Sequence, residues 1–406
     1  MADIVPFKAV RPKRSKVHLV SSRPFYTYEK SHLKAKLETN PYSFLHVINP
    51  EFKKNHGTKP NSVERFNLVK DQYEKFKKND LFTQDQKSSF YVYKQTTPIG
   101  EFTGIIAGAS VLDYRNDLIK KHENTILKRE NLFKKYLDVC HFHAEPVLLS
   151  YEFNNEIANI ISSKKVERPE YEFTTTDNKN HELWIIDDPI SVEKIVNAFK
   201  KVDNIYIADG HHRAASSKLY FESHQHKESS KYFLSFLVDT QNVHIIEFNR
   251  LVKNISPLNK NSLFKALNEY FVLSEGEINE VSPSNKKEIG MYFKKKWYLL
   301  TIKKKVLENL NYKQKLNSQL VSDFILNSIL NIPDLRKDKR VEFISGMDTN
   351  HNTLSKIDKL ENGMLLKLFP HTMDEIIQIA DLGETMPPKS TWIEPKIRSG
   401  VTIYEY

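Results

Sequence analysis

Five consecutive residues are the strongest candidates for chemistry in this chain: Asp209, Gly210, His211, His212 and Arg213. The arginine guanidinium is planar and permanently charged, and it donates paired hydrogen bonds to phosphate. Histidine side chains also donate to phosphate oxygens and titrate near neutral pH. An aspartate can bind Mg²⁺ or orient a neighbouring histidine. The motif therefore predicts an anion site with phosphate on the histidines and the arginine. Its candidate catalytic residues are Asp209, also a candidate Mg²⁺ ligand, and His211.

The elements around this motif are predicted to place it at the start of a helix. The β-branched and aromatic run at 205–207 predicts a buried strand, and the stretch from Ala214 predicts a helix. A helix N-terminus has unpaired N–H groups and the positive end of the dipole, which suit phosphate. Gly210 permits a positive φ or a close backbone approach. The alternative is a capped, solvated first turn, in which the cationic side chains oppose the dipole.

Several separated motifs, in order along the chain, make the sequence similar to one uncharacterised family. They lie at residues 5–12, 40–47, 119–125, 209–213, 338–341 and 386–392. On these motifs the chain resembles the Asp-Gly-His-His-Arg family, known as domain of unknown function ten-fifteen. The stretch from Ser22 to Thr27 departs from the Pro-Pro-Tyr-Asp that family members often carry, so no role of that aspartate is carried over.

The family's hallmark is similar to the Gly-Cys-His-Arg loop of sulfiredoxin and the Gly-x-Arg-Arg loop of ParB-like nucleotide-binding domains. The resemblance implies an α+β fold with a mixed sheet, whose loop holds nucleotide phosphates at a helix N-terminus. Some members of that superfamily phosphorylate free serine with ADP or ATP, and genes of this family tend to lie beside serine-biosynthesis genes. His211 replaces the nucleophilic cysteine of sulfiredoxin, so sulfiredoxin chemistry is not expected. The implied function is a kinase of free L-serine or a similar hydroxyl metabolite, using ADP or ATP with Mg²⁺.

A second group of candidates is Lys121, His122 and Glu123, at a predicted strand-to-helix passage. Phosphoryl transfer to a hydroxyl needs phosphate-binding cations and a base that accepts the proton. Lys121 and His122 are candidate phosphate ligands. Glu123 is the candidate base, because carboxylates serve that role in the related serine kinases. The alternative is an ordinary glutamate in a first helical turn, where it interacts favourably with the dipole.

A third candidate is the loop containing Lys389, Ser390 and Thr391, which follows two prolines. The prolines stiffen the approach and remove two N–H donors. The charge and two hydroxyls that follow predict a second anion-contacting loop that recognises the acceptor substrate. The alternative is a rigid surface turn.

The composition favours a soluble cytoplasmic protein. Hydrophobic residues make up 39% and charged residues 28% of the 406 residues, which is enough for packed cores. No stretch approaches the roughly 18 apolar residues of a membrane span. The N-terminus has no signal-peptide pattern. The single cysteine, Cys140, excludes an intramolecular disulfide framework.

The net charge of +10 favours anionic partners. These partners include nucleotides, phosphorylated metabolites and nucleic acid. The lysines are widely spread and no zinc-finger spacing or heptad array is present, so no specific nucleic-acid partner is expected. Two alternatives stay open: a non-enzymatic ParB-like nucleotide- or DNA-binding regulator, and a degenerate scaffold. A recognition helix with clustered Lys and Arg would support the regulator, and residues 318–330 lack such clustering.

The length predicts two domains. The first, 1–255, is the ParB/sulfiredoxin-like catalytic or nucleotide-binding domain. The second, 256–406, is an α+β domain whose last segment is a candidate to return to the active site. Periodicity and turn residues predict the main elements. Strands are expected at 43–48, 89–95, 102–111, 145–151, 182–187, 243–248 and 297–302, and helices at 62–77, 125–139, 191–199, 261–270 and 318–330.

Overall fold

The computed structural model describes residues 1–52, 57–276, 281–348 and 351–406. These residues form two compact units. Unit 1 comprises Met1–Lys121, Thr125–Val243 and Pro395–Tyr406, and unit 2 comprises His122–Asn124 and His244–Glu394. The chain thus passes into unit 2 at His244, and the domain boundary at residue 255 stays a prediction. In the described ranges no helix has the length and apolar character needed to cross a membrane.

Unit 1 is built on a nine-stranded mixed sheet. Its strands lie in the order Ile119–Lys120, Ile205–Asp209, Val147–Tyr151, Tyr232–Asp239, Gly100–Ser110, Phe90–Thr97, Asn180–Ile186 and Tyr171–Thr174, with Ile4–Val5 also paired to Gly100–Ser110. Two neighbouring pairs of strands are parallel: Ile119–Lys120 with Ile205–Asp209, and Val147–Tyr151 with Tyr232–Asp239. The remaining pairs are antiparallel. This mixed sheet confirms the predicted α+β class, and the predicted hairpin at 89–111 is confirmed as well.

Helices and two short two-stranded sheets complete unit 1. The α-helices are Val17–Val20, Lys30–Thr39, Leu45–Ile48, Val63–Lys78, Val111–Arg115, Leu127–Cys140, Asn155–Lys165, Pro189–Phe199 and His211–Ser223, and the 3₁₀ helices are Phe25–Thr27, Glu228–Lys231 and Thr240–Asn242. The short sheets pair Val10–Pro12 with Phe82–Gln84 and Phe142–His143 with Tyr404–Glu405. The predicted helix at 62–77 is confirmed with its cap, because the Ser62 side chain accepts from the Arg65 N–H.

The strand predicted at 43–48 is wrong, because the chain forms the helical turn Leu45–Ile48 there. Periodicity alone does not separate a short apolar strand from a buried helical turn. Leu45 and Val47 are fully buried in this turn. Local hydrogen bonds decide for the turn: the His46 N–H donates to the Ser43 carbonyl at 2.9 Å, and the Leu45 N–H lies 3.4 Å from the Ser43 hydroxyl.

The strand and the helix on either side of the Asp-Gly-His-His-Arg motif are anchored in one hydrophobic core. Ile205 and Ile207 of the strand are buried in the same cluster as Ala214 and Phe221 of the helix. Burial of this apolar surface, at about 25 cal/mol per Å², holds both elements in place. The polar residues between them are therefore carried by rigid structure.

Unit 2 is an antiparallel sheet with helices. Its strands lie in the order Phe271–Glu275, Lys296–Ile302, Glu288–Phe293, Met364–Lys367, His244–Val252 and Val341–Ser345, with Thr391–Glu394 paired to His244–Val252. Its helices are Lys260–Tyr270, Lys304–Leu307, Asn317–Leu320, His351–Asp358 and Met373–Asp381, the π-helix Val321–Ile329, and the 3₁₀ turns Lys313–Lys315 and Gly346–Asp348. The predicted helix at 318–330 is thus helical, but its larger part has the rare π geometry.

The C-terminal segment, residues 395–406, belongs to unit 1. The Ile403 N–H donates to the Val10 carbonyl at 2.8 Å. The buried Arg398 donates to the Thr175 hydroxyl at 2.7 Å and forms an ion pair with Asp177. Burial is the largest single effect on the pKa of Asp177 and raises it, but the Arg398 charge and the hydrogen bonds from Thr175, Arg398 and the backbone together lower it to about 2. This ion pair fastens the C-terminal segment to unit 1.

We expect the Asp177–Arg398 pair to stabilise the protein in a pH-dependent way. A carboxylate with a lowered pKa contributes stability above its ordinary pKa, and the contribution disappears as pH falls through its folded-state value. Asp177→Asn should therefore lower the unfolding free energy by about 1 kcal/mol at pH 7, allowing for solvent screening. The difference between variant and wild type should shrink between about pH 4 and pH 2. Urea unfolding checks this, with Asp187→Asn as an exposed control paired to Lys87; a difference independent of pH would contradict it.

Candidate phosphate-binding site

The Asp-Gly-His-His-Arg motif lies at the end of a bulged strand. The register of Ile205–Asp209 against its neighbour shifts between Ile207 and Asp209, and a β-bulge of this kind redirects the side chains that follow. Gly210 then has a φ of 101°, which other residues adopt only with strain. The helix His211–Ser223 begins directly after it, three residues before the predicted start. The motif is therefore the helix N-terminus itself.

The Arg213 side chain folds back over Gly210. A Cβ atom placed on Gly210 would lie 2.8 Å from both Nε and Nη2 of Arg213. The guanidinium is held there by two carboxylates: Nη2 lies 3.4 Å from Asp209 Oδ2, and Nη1 lies 3.3 Å from Glu145 Oε2. Position 210 thus requires glycine for two reasons: its positive φ, and the space that the guanidinium occupies.

Three residues that the sequence analysis missed complete this cluster: Glu145, Lys396 and Ser399. The Lys396 ammonium lies 3.4 Å from Asp209 Oδ2, and the Ser399 hydroxyl donates to Glu145 Oε1 at 2.8 Å. Both arrive on the C-terminal segment, and Glu145 precedes the strand Val147–Tyr151, which neighbours Ile205–Asp209. Only the pairing of distant strands reveals this proximity. A Glu before a strand and a Lys near the end of a lysine-rich chain carry no local signal.

A cavity of about 180 Å³ adjoins Arg213 in unit 1. It is lined by Phe44, Ile48, Phe133, Tyr136, Leu137, His143, Ala144, Glu145, Arg213 and Ser216. Burial and the Arg213 charge lower the pKa of His143 to about 3, so its imidazole is neutral at physiological pH. The cavity thus combines aromatic and aliphatic walls with one cation and one carboxylate.

Asp209 does not form a ready-made Mg²⁺ site. Its Oδ2 is shared by the Arg213 guanidinium and the Lys396 ammonium, and cations at that oxygen oppose a divalent ion. In the described ranges no group of three or more His, Cys, Asp or Glu side chains is arranged to hold a metal. The role of Asp209 as a Mg²⁺ ligand stays a prediction.

The other predicted site residues are distributed between the units. Lys121 is exposed and is the last residue of the first segment of unit 1, whereas His122 and Glu123 belong to unit 2. In unit 2 the His122 carbonyl accepts from the Met386 N–H at 2.9 Å. The neighbouring Asn124 amide donates to the Thr385 hydroxyl, also at 2.9 Å. The structure thus brings residues of the motif at 119–125 next to the start of the motif at 386–392, far along the chain.

The three residues of the predicted acceptor loop have different environments. Lys389 has a φ of 58° and is exposed, with its ammonium 5.6 Å from the Phe248 ring centroid. Ser390 is buried, and its hydroxyl lies 2.7 Å from the Pro387 carbonyl and 3.0 Å from the Ser318 hydroxyl. Thr391 begins a strand. Ser390 therefore supports the turn from within, and the substrate-binding roles of all three stay predictions.

The fold and the motif define an α+β protein with an arginine-bearing strand–glycine–helix loop. The family model described as "Protein of unknown function (DUF1015)" matches residues 4–324. The chain therefore belongs to this family, which confirms the resemblance inferred from its motifs. No curated protein sequence matches the chain.

Several solved structures are similar to this chain at low identity. C-terminally truncated SbnI from Staphylococcus aureus has 14% identity and a TM-score of 0.40, covering 73% of this chain and 85% of its own. A free serine kinase in complex with AMP has 15% identity and a TM-score of 0.36, with coverages of 70% and 89%. A conserved hypothetical protein from Pyrococcus furiosus has 15% identity and a TM-score of 0.35, with coverages of 70% and 91%.

Gly210→Ala should both strain the backbone and displace Arg213. A left-handed conformation costs an ordinary residue about 1–2 kcal/mol, and the new methyl group would overlap the guanidinium. Gly383→Ala is a matched control, because Gly383 also has a positive φ (67°) but no atom within 4 Å of the added Cβ. Gly210→Ala should lose more unfolding free energy than Gly383→Ala, and only Gly210→Ala should shift the Arg213 Nε–H resonance in NMR spectra. An unchanged resonance would show that the guanidinium does not pack on Gly210.

Proposed function

We propose that this protein is a phosphotransferase that uses ADP or ATP to phosphorylate the hydroxyl of a small metabolite. The observation that carries the proposal is the Arg213 guanidinium, folded over Gly210 at the start of a helix and lining the aromatic cavity. The motif resemblance supports a nucleotide as the ligand and free L-serine as the candidate acceptor. A cytoplasmic location, where ADP and ATP are available, is part of the proposal.

The charges around Arg213 suit the replacement, at its guanidinium, of one contacting carboxylate by a phosphate. In the structure Asp209 and Glu145 together neutralise Arg213 and Lys396. A phosphate on the guanidinium can accept two parallel hydrogen bonds and gains further from the helix dipole. The ion pairs with Asp209 and Glu145 keep the cation positioned until the anion arrives. His211 and His212, in the first turn, are proposed as additional donors.

The aromatic cavity supports a nucleotide over a simple phosphate. Its volume of about 180 Å³ is below the roughly 300–1,000 Å³ of pockets that enclose a whole small-molecule ligand. It therefore suits one part of a ligand whose charged part lies on Arg213. Phe44, Phe133 and Tyr136 present the rings that pack well against a flat heterocycle such as a nucleobase. The proposed ligand places its base in this cavity and its phosphates at the helix N-terminus.

The remaining roles are proposed from residue chemistry. Glu123 is the proposed base for the acceptor hydroxyl, with Lys121 and His122 as further phosphate ligands. The loop of Lys389, Ser390 and Thr391 is proposed to contact the acceptor. Mg²⁺ is proposed to enter with the nucleotide phosphates, as it commonly does, and would supply charge neutralisation there.

The direct test is phosphorus NMR of the purified full chain. The protein is incubated with Mg²⁺ and either ADP or ATP, together with L-serine, other hydroxyl amino acids, and sugars. The proposal expects a new phosphomonoester signal that requires one acceptor and one nucleotide. No phosphomonoester with any acceptor, despite nucleotide binding, would reject the enzymatic part.

A DNA-binding regulator is the competing function, and salt separates the two. The logarithm of DNA affinity falls linearly with the logarithm of the salt concentration, with a slope of about −0.9 per neutralised phosphate. The scattered lysines should give only weak, salt-sensitive DNA binding. Nanomolar, sequence-selective DNA binding at physiological salt, without phosphoryl transfer, would reverse the assignment.

Arg213→Lys should weaken nucleotide binding by about 1–3 kcal/mol, because a point charge loses the paired geometry of the guanidinium. Unfolding free energy should change little by comparison. Arg129→Lys, an exposed arginine of the helix Leu127–Cys140, is the matched control. Calorimetric titration with ATP measures both variants, and equal affinities would remove Arg213 from the phosphate site.

Glu123→Gln should affect turnover much more than nucleotide binding. The amide keeps the side-chain shape but cannot accept the hydroxyl proton, so the rate should fall by roughly two to four orders of magnitude. Glu145→Gln is the comparison, since Glu145 is a carboxylate that already contacts Arg213. A loss in the Glu145 variant is expected from its contact with Arg213 alone. Full activity of the Glu123 variant would move the base elsewhere, with Asp209 the next candidate.

A further inference from the structure

Unit 2 contains a polar cavity of about 380 Å³ that the proposed nucleotide site does not use. Its walls include Asn124, Lys313, Gln319, Ser322, Asp323, Asn327, Arg336 and the stretch Thr385–Pro388. The two motifs joined by hydrogen bonds in this unit, at 119–125 and 386–392, therefore both contribute to its lining. Its volume falls within the roughly 300–1,000 Å³ range of small-molecule pockets.

A chain of buried hydrogen bonds holds two walls of this cavity. Glu375 Oε2 lies 2.8 Å from His371 Nδ1, and His371 Nε2 lies 2.9 Å from the Ser318 hydroxyl. Ser318 in turn contacts Ser390, whose hydroxyl also lies 2.7 Å from the Pro387 carbonyl. Pro387 belongs to one wall, and Ser318 directly precedes Gln319 of the other. Buried polar chains of this kind fix side chains in one arrangement.

The π-helix Val321–Ile329 supplies a carboxylate to the cavity. Its apolar residues Val321, Ile325 and Leu326 are buried in the core of unit 2, whereas Ser322, Asp323 and Asn327 line the cavity. The Gln319 amide donates to Asp323 Oδ1 at 2.8 Å. Partial burial raises the pKa of Asp323, with opposing effects from Gln319 and Lys313. A ligand cation beside this carboxylate would offset the cost of its partial burial.

The two cationic side chains of the cavity have different partners. Lys313 is paired with Glu384 at 2.8 Å. Arg336 is exposed, and its Nη2 donates to the Asn124 carbonyl at 3.3 Å. That bond holds one end of the guanidinium at the cavity, while its remaining N–H groups can bind a carboxylate. The cavity thus offers an anionic group and a cationic fork to one small ligand.

We propose that this cavity binds a small zwitterion of the α-amino-acid class, with its ammonium group on Asp323 and its carboxylate on Arg336. The surrounding amides and hydroxyls of Asn124, Asn327 and Ser322 suit a polar ligand. This inference does not rest on the phosphotransferase, because binding to the cavity can be measured without a nucleotide.

The test is saturation-transfer NMR on the full chain, without nucleotide, using the twenty proteinogenic amino acids as probes. Each probe that binds is compared with the 2-hydroxy acid that lacks its ammonium and with the amine that lacks its carboxylate. At least one amino acid should bind, and both analogues should bind at least about tenfold more weakly. No binding by any of the twenty, or equal binding of the hydroxy acid, would overturn the proposal.

Two variants assign the binding to this cavity. Asp323→Asn should lower the affinity at least about tenfold. Asp187→Asn is the control: Asp187 is not among the lining residues and pairs with Lys87 at 3.2 Å, and its variant should bind within about twofold of wild type. Arg336→Gln changes an exposed side chain and leaves the core intact. It should weaken the binding of the amino acid but leave the weak binding of its amine analogue unchanged. Unchanged amino-acid affinity in both Asp323→Asn and Arg336→Gln would place the ligand elsewhere.

Discussion

The ion pairs of Arg213 are the constraint on which the site in unit 1 depends. Asp209 and Glu145 hold the guanidinium above Gly210, in the space where any other residue would carry a Cβ atom. The bulge in the preceding strand and the positive φ of Gly210 lead the chain into the helix that begins at His211. A regular strand end or an ordinary residue at position 210 would direct the arginine elsewhere. The buried strand and helix then fix this geometry from both sides.

The C-terminal segment ties the electrostatics of this site to the stability of unit 1. It contributes Lys396 to Asp209 and Ser399 to Glu145, so both carboxylates that position Arg213 are themselves held. The same segment is fastened by the Arg398–Asp177 ion pair. A cation balanced by carboxylates on rigid elements is prepared to exchange one partner for an anionic ligand at small reorganisation cost.

Local features of the fold could be predicted from the sequence, and features that depend on distant pairing could not. The hairpin at 89–111, the Ser62-capped helix and the strand–glycine–helix motif all rest on neighbouring residues, and all three are present. The strand predicted at 43–48 is wrong because a short apolar run suits a buried helical turn equally well. The π geometry of Val321–Ile329 has no signal in residue spacing. Glu145 and Lys396 reach Arg213 only through strand order and the return of the C-terminal segment.

The most direct measurement of the central claim is the affinity of the wild-type full chain for ADP and for adenosine, by calorimetry at physiological salt. The two ligands share base and ribose and differ in the phosphates that Arg213 is proposed to bind. Charge-assisted hydrogen bonds of about 1.5–3 kcal/mol predict that ADP binds at least about tenfold more tightly than adenosine. Equal affinities, or no binding of ADP, would contradict the assignment of Arg213 and the helix N-terminus as a phosphate site.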